Sequence, residues 1–260
     1  MKKIFLLTTA VFAFSPMGNA LTPIEIMQKN YSVSKVKDST TEITIRLINS
    51  SGQERVRKSL AKTKLIKGTS DEMRYVKFLS PTDIKGTSTL LNQNTGKDDD
   101  MWIYLPALKK VRRLIANNKR DSFVGTDFSY GDVMGFKVEE WNYKLLKEEN
   151  KNTRPCYVIE SIPKNKETID NTGYSKRILW IDKENFVGLA TDGYDGSGQI
   201  LKKSLATEIK LVDSANKKYV AMKLEAENVQ SNHKTVITFE NYKANVGVGD
   251  EYFKARSLEK

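Results

Sequence analysis

Residues 98–134, DDDMWIYLPALKKVRRLIANNKRDSFVGTDFSYGDVM, decide how the chain reads. Within them Met101, Ile103 and Leu105 fall on one face of an extended run, and Trp102 and Tyr104 on the other. A strand that is apolar or aromatic on both faces is expected to be packed on both sides. Pro106 interrupts it. Lys109, Lys110, Arg112 and Arg113 then surround Val111, and Lys119 and Arg120 extend the charge. Such a cluster suits a solvated sheet edge guarded against pairing with another chain, and it equally suits a rim that binds carboxylate or phosphate. Phe123, Phe128 and Tyr130 lie in a loop punctuated by Gly125 and Gly131, which reads either as cover for a cavity mouth or as a rigid plug over an ordinary core.

Outward from this stretch the periodicity is that of strands. Ile43, Ile45 and Leu47 alternate with Glu42, Thr44 and Arg46. Strands are expected over 55–65, 73–79, 88–92 and 101–105, then over 157–162, 176–181, 186–194, 199–212, 219–226 and 235–242. The turns between them carry fitting residues, among them Ser50-Ser51-Gly52, Asp182-Lys183-Glu184-Asn185 and Asp195-Gly196-Ser197-Gly198. Ten or more strands joined by short turns predict one continuous antiparallel sheet, and a sheet of that size must curl, split or close. Leu205, Thr207, Ile209 and Leu211 share one face of their strand, and Val220, Met222, Leu224 and Ala226 share a face of the next.

One helix precedes the strands. Thr22 is its cap, Pro23 its first residue and Glu25 the partner in a capping box, with Leu21 and Ile26 as a hydrophobic staple. It is expected to run to about Tyr31 and to pack through Ile24, Met27 and Tyr31, with Ile26 beside them. Before it, Lys2 and Lys3, the apolar run Ile4 to Phe14, Pro16 and Gly18-Asn19-Ala20 have the form of a secretory signal peptide. Residues 1–20 are accordingly expected to be removed. Residues 21–260 are expected to form a single soluble domain that works outside the cytoplasm.

The formal charge is +11, reduced by two once Lys2 and Lys3 leave. A basic exported protein suits anionic lipid headgroups or an acidic protein partner better than nucleic acid, and lysines spread along the chain read equally as a solvated, solubilising face. Cys156 is the sole cysteine, which excludes an internal disulfide. Its apolar surroundings favour a buried thiol over a reactive one. Asp98, Asp99 and Asp100 lack the further ligands of a calcium loop and read as a solvated turn. His233, the sole histidine, has no second histidine for a zinc site. Ser122 and Ser129 have no nucleophile-elbow setting, and the glycines of 193–198 fit a hairpin better than a phosphate loop. No cofactor, metal or catalytic residue is expected.

The central segment resembles the signature of the LolA-like outer-membrane lipoprotein-sorting family. Asp99-Asp100-Met101-Trp102-Ile103-Tyr104-Leu105-Pro106-Ala107-Leu108, Val111-Arg112-Arg113, Ser122-Phe123, Gly125-Thr126-Asp127-Phe128-Ser129-Tyr130 and Asp132 carry the resemblance. Pro81, Asp83, Lys85, Gly86 and Thr87 extend it upstream; Trp180-Ile181-Asp182, Tyr194-Asp195, Gly198 and Leu201-Lys202 extend it downstream. The resemblance implies a LolA/LolB-like fold, mainly β with short α-helices, in which a curled, incomplete antiparallel barrel wraps the helices around an apolar cavity. It implies a non-enzymatic periplasmic carrier of acylated lipid or lipoprotein, working with an inner-membrane exporter of the resistance-nodulation-division type and an outer-membrane acceptor. Free lipid and a hopanoid-like molecule remain open beside lipoprotein as cargo.

On that reading Ile43, Ile45, Leu47, Trp102, Tyr104, Trp180, Ile209 and Leu211 are candidates to line the cavity, each also readable as plain core. Phe123, Phe128 and Tyr130 are candidates for its mouth or lid, and Arg112 and Arg113 for a lipid headgroup or an acidic partner. Two other functions fit the same residues. One is an envelope protein-binding or scaffolding accessory of an inner-membrane exporter; the other is an extracytoplasmic hydrolase built from dispersed acids.

Overall fold

The computed structural model describes residues 20–259; the signal peptide read over 1–20 lies outside the described residues but for Ala20. Helix α1, Pro23–Val33, begins where the sequence places it. The Glu25 carboxylate accepts from the Thr22 amide and hydroxyl at 2.7 Å, closing the capping box. Ile26 and Met27 are the residues it buries, while Ile24 stays exposed, so its packed stripe is rotated from the expected one.

Thirteen strands follow: β1 Asp38–Ile48, β2 Glu54–Leu65, β3 Glu72–Ser80, β4 Ser88–Asn92, β5 Asp100–Leu105, β6 Lys110–Leu114, β7 Trp141–Lys151, β8 Arg154–Pro163, β9 Lys176–Asp182, β10 Gly188–Tyr194, β11 Ile200–Asp213, β12 Lys218–Asn228 and β13 His233–Ala244. Two short α-helices, α2 at Tyr130–Met134 and α3 at Lys166–Thr172, and six 3₁₀ turns complete the regular structure of the described residues. All thirteen strands form one antiparallel sheet in the order β6-β5-β4-β3-β2-β1-β13-β12-β11-β10-β9-β8-β7. Every neighbour but one is a sequential hairpin partner; β1 pairs with β13, Ile45 opposite Ile237, and so joins the two halves.

The expected curled, incomplete barrel is not what forms. The sheet is open, with β6 and β7 as its two edges and no pairing between them. The physical reason lies in the connection. The chain leaves the sheet at one edge, β6, and re-enters it at the other, β7, so residues 115–140 must pass over one face. That crossing, together with α1, buries the apolar face, and closure of the strands is not needed to do so.

The crossing segment is seated in the core. Phe123, Phe128, Tyr130 and Met134 pack with Ile43, Ile45, Phe78, Leu91 and Met101. The Phe123 and Tyr130 rings meet edge-on, with centroids 5.3 Å apart. The opposite face of β3–β6 is covered too. There Tyr75, Leu90, Trp102, Tyr104 and Val111 pack against Val248, Phe253 and Leu258 from the segment after β13. The alternation in β5 is thereby explained: Met101 faces one core, Trp102 and Tyr104 the other.

The edges were the hardest strands to read. β7 carries Lys144, Lys147, Glu148 and Glu149 and leaves Leu145 and Leu146 exposed, so it shows no period of two. Of the three aspartates expected in a solvated turn, Asp98 is exposed, and it is Asp99 that departs from the reading. Asp99 is buried and pairs with Lys119 at 2.7 Å and Lys137 at 3.2 Å, fastening the crossing segment to the β4–β5 turn.

Gly193 in β10 is fixed by packing: a Cβ there would lie 2.5 Å from the Tyr174 ring. Tyr174 is 3% exposed, and its hydroxyl is held by the Asp132 carboxylate at 3.1 Å. Gly193→Ala is expected to lower stability by about 1–3 kcal/mol and to change the near-ultraviolet circular dichroism. Met101→Ala, which empties a site inside the main core, is expected to cost about 2–5 kcal/mol in urea unfolding. An unchanged midpoint for either would contradict the packing described.

Candidate functional site

Between the sheet and its cover lies a cavity of about 480 Å³, within the range of small-molecule sites. Its floor carries larger residues on β12 and β13, such as Leu224 and Phe239, but small side chains where β1, β2 and β11 turn inward. β1 supplies Ser39 and Thr41 beside Ile43 and Ile45; β2 supplies Ser59, Ala61 and Thr63; β11 supplies Ser204 and Ala206. The roof is larger and apolar: Met27 and Tyr31 of α1, Phe123, Phe128, Met134 and Phe136. Large groups above small ones leave the space open, where equally large residues on both sides would have interdigitated.

The roof is fastened at many points. Asp127 holds His233 Nδ1 and the Thr235 hydroxyl, each at 2.7 Å, tying the crossing segment to β13. Arg57 donates to the Val124 carbonyl from β2. Gln93 Nε2 donates to the Met134 carbonyl at 2.6 Å. α1 is held by Asn30, donating to the Phe186 carbonyl at 2.8 Å, and by Lys218, donating to the Ser32 carbonyl at 2.9 Å.

Four cations and two carboxylates line this otherwise apolar space. Arg74 pairs with Glu72 at 2.7 Å and donates to the Val133 carbonyl at the same distance. Lys202 pairs with Asp132 at 2.5 Å, and the Tyr174 hydroxyl donates to the same carboxylate at 3.1 Å. Burial opposes both charges of this pair, but their mutual attraction outweighs it, holding the Lys202 ammonium above and the Asp132 carboxyl below their ordinary values. Asp132 is also placed by α2, where it and Ser129 form a capping box.

Lys35 has no carboxylate partner among the described residues. Its ammonium donates to the Ser70 carbonyl at 2.6 Å and to Gln93 at 3.0 Å, and lies 3.6 Å from the centre of the Tyr31 ring. Burial pulls its pKa down to about 8. Arg177 is the fourth cation, inward on β9 in register with Leu179 and Ile181. Its guanidinium carbon lies 3.9 Å from the centre of the Phe136 ring and 4.0 Å from that of Trp141. Nothing in the sequence reading singled it out, although an arginine at an inward position of an apolar strand is a detectable anomaly.

The residues proposed from sequence are distributed as follows. Ile43, Ile45, Phe123 and Phe128 line the cavity. Leu47 and Tyr130 belong to the core beside it. Trp102 and Tyr104 pack on the opposite face of the sheet. Trp180 alternates away from Arg177 and Leu179 and donates to Glu149 at 2.6 Å. Ile209 packs with Trp180 and Tyr219, and Leu211 is 50% exposed. On β11 it is Lys202, Ser204 and Ala206 that reach the cavity, the face opposite to Leu205, Ile209 and Leu211. Arg112 and Arg113 sit exposed on the β6 edge, Arg113 paired with Asp100 at 2.6 Å, and neither reaches the cavity. Among the described residues no group of three or more His, Cys, Asp or Glu is arranged to hold a metal ion, and no helix is long and apolar enough to cross a membrane.

Solved structures share this arrangement. A Vibrio parahaemolyticus domain described as an outer membrane lipoprotein-sorting protein is 28% identical, with a TM-score of 0.83 over 92% of this chain and 98% of its own. A DUF1329 family protein from Desulfovibrio piger is also 28% identical, with a TM-score of 0.83 over 91% and 97% of the two chains. A LolA superfamily protein from Nitrosomonas europaea shares the fold at 20% identity, with a TM-score of 0.68 over 90% and 98%. None of the curated proteins matches the sequence. The likeness shows that the chain has the fold of these proteins. A family model described as "-like: Uncharacterized protein" matches residues 70–260, well over half of the sequence, and the chain belongs to that family.

Proposed function

We propose that the protein is a non-enzymatic periplasmic carrier that shelters the acyl part of a lipid or lipoprotein in the roofed cavity and passes it between envelope components. The observation that carries this reading is the pairing of a small-residue floor with an aromatic roof around about 480 Å³. An acyl chain gains about 0.8 kcal/mol for each methylene removed from water, so a protein that moves it must offer comparable burial. Leaving the cavity then requires the roof to shift. Besides its apolar packing the roof is tied down by hydrogen bonds, such as Asp127 with His233 and Asn30 with the Phe186 carbonyl, which water can replace as the roof opens.

The β6 edge supplies a place for a partner. Lys109, Lys110 and Arg112 are exposed there, between Leu108 at 55% and Ile115 at 65% exposure. Two exposed apolar groups flanking a basic strip suit an acidic surface on an inner-membrane exporter or an outer-membrane acceptor. Neither Arg112 nor Arg113 lines the cavity, which supports a role toward a partner rather than toward a headgroup.

Native mass spectrometry of gently purified protein is expected to show bound acyl species. Ala206→Phe, which fills the floor, is expected to lose them and to reduce amphiphile uptake at least about tenfold while keeping the folded spectrum. Empty wild-type protein that takes up no amphiphile would sink the carrier reading. Arg112→Ser with Arg113→Ser is expected to slow delivery to anionic acceptor vesicles severalfold, with uptake unchanged. Delivery at the wild-type rate would remove the β6 edge from the transfer step.

A further inference from the structure

We propose that the cavity selects an anionic amphiphile, and that Arg177 holds its acid group, a carboxylate or a phosphate. This names the cargo class of the carrier described above and rests on that reading. The argument begins with charge. Of the four cations around the cavity, Arg74 and Lys202 each face a carboxylate within ion-pair distance. Arg177 does not, among the described residues. Its one hydrogen bond there is from Nη2 to the Ser161 hydroxyl at 3.4 Å. Nε is buried with no protein acceptor.

An arginine does not relieve this by losing its proton; it stays charged at any physiological pH. Its residue is 5% exposed, so water does little to solvate it. Contact with the Phe136 and Trp141 rings offsets part of the cost, but rings accept no hydrogen bond at Nε. A buried guanidinium with ring contacts and an unused donor is a fork whose natural counterpart is planar or tetrahedral and negative. Burial also pulls the Arg177 pKa downward, the direction an arriving anion would reverse.

The neighbours agree. Tyr143 and Tyr174 line the same wall and are phenols kept neutral by burial, Tyr143 with its pKa pushed up to about 12. Asp132, the nearby carboxylate, is already committed to Lys202 and Tyr174. From Arg177 the small-residue floor of β11, Ser204 and Ala206, offers an apolar bed for the chain attached to the acid group.

The test compares three ligands with one tail: dodecanoate, dodecyl phosphate and dodecanol, titrated calorimetrically into the wild-type protein and into Arg177→Met. The wild type is expected to bind at least one anion about tenfold or more tightly than the alcohol. The anion preferred tells a carboxylate cargo from a phosphate one. In Arg177→Met all three are expected to bind alike, with dodecanol affinity retained. If wild type binds all three equally, the anion assignment is overturned while the carrier reading stands. Should it bind none, the carrier reading itself fails. A preference that survives in Arg177→Met overturns the role of Arg177. If that variant does not fold, carbon-13 spectra of carboxyl-labelled dodecanoate on the wild type decide. A bound carboxyl that stays ionised below its ordinary titration range supports the contact, and one that titrates normally refutes it.

Discussion

The constraint on which this architecture rests is topological. The two edge strands, β6 and β7, are consecutive in sequence and lie at opposite ends of a thirteen-stranded sheet. Whatever joins them must travel the width of a face. That face is apolar, with Ile43, Ile45, Phe78 and Met101 turned toward it, so the traveller is drawn down onto it by hydrophobic burial. Phe123, Phe128 and Tyr130 make the contact. The same passage delivers Asp132, Met134 and Phe136 to the cavity wall and fixes the roof against β13 through Asp127. Fold and site are thus set by one crossing.

The two faces of the sheet then play different parts. Under the crossing and α1, small residues keep a space open. On the far side of β3–β6, aromatic residues close against Val248, Phe253 and Leu258 with large groups on both sides. β5 serves both: Met101 is fully buried on one side and Trp102 packs on the other. The strand most distinctive in sequence is therefore the one whose two faces do unlike work.

Much of the fold was legible in the chain. Period-two runs located eleven of the strands, because their inward faces meet a continuous apolar layer, and the capping box at Thr22 and Glu25 located α1. β7 was missed because an edge strand with Lys144, Lys147 and Glu148 turned to solvent has no alternation to detect. The basic residues of β6 were recognised as suited to an edge but not drawn as a strand of the sheet. The incomplete barrel was an implication of the family resemblance; strand periodicity left open whether the large sheet curls, splits or closes, and it does not reveal that a loop covers the apolar face. The site was less legible for a related reason. Searching for large inward apolar residues favoured Trp102, Trp180, Ile209 and Leu211, whereas an open space is walled by what is small, as at Ser59, Ala61, Ser204 and Ala206. Arg177 was hidden in a Lys-Arg pair, where only strand parity separates the surface residue from the buried one.

The open sheet also leaves two margins of unpaired backbone, which in a crowded envelope are an invitation to polymerise. Both are defended. On one, Lys110, Arg112 and Arg113 line five residues; on the other, lysines and glutamates are mixed along Trp141–Lys151. The first margin repels a second copy of itself by like charge. The second surrounds its bare amides with strongly hydrated side chains. A protein that keeps both ends of its sheet this way resists edge-to-edge pairing with further copies of itself.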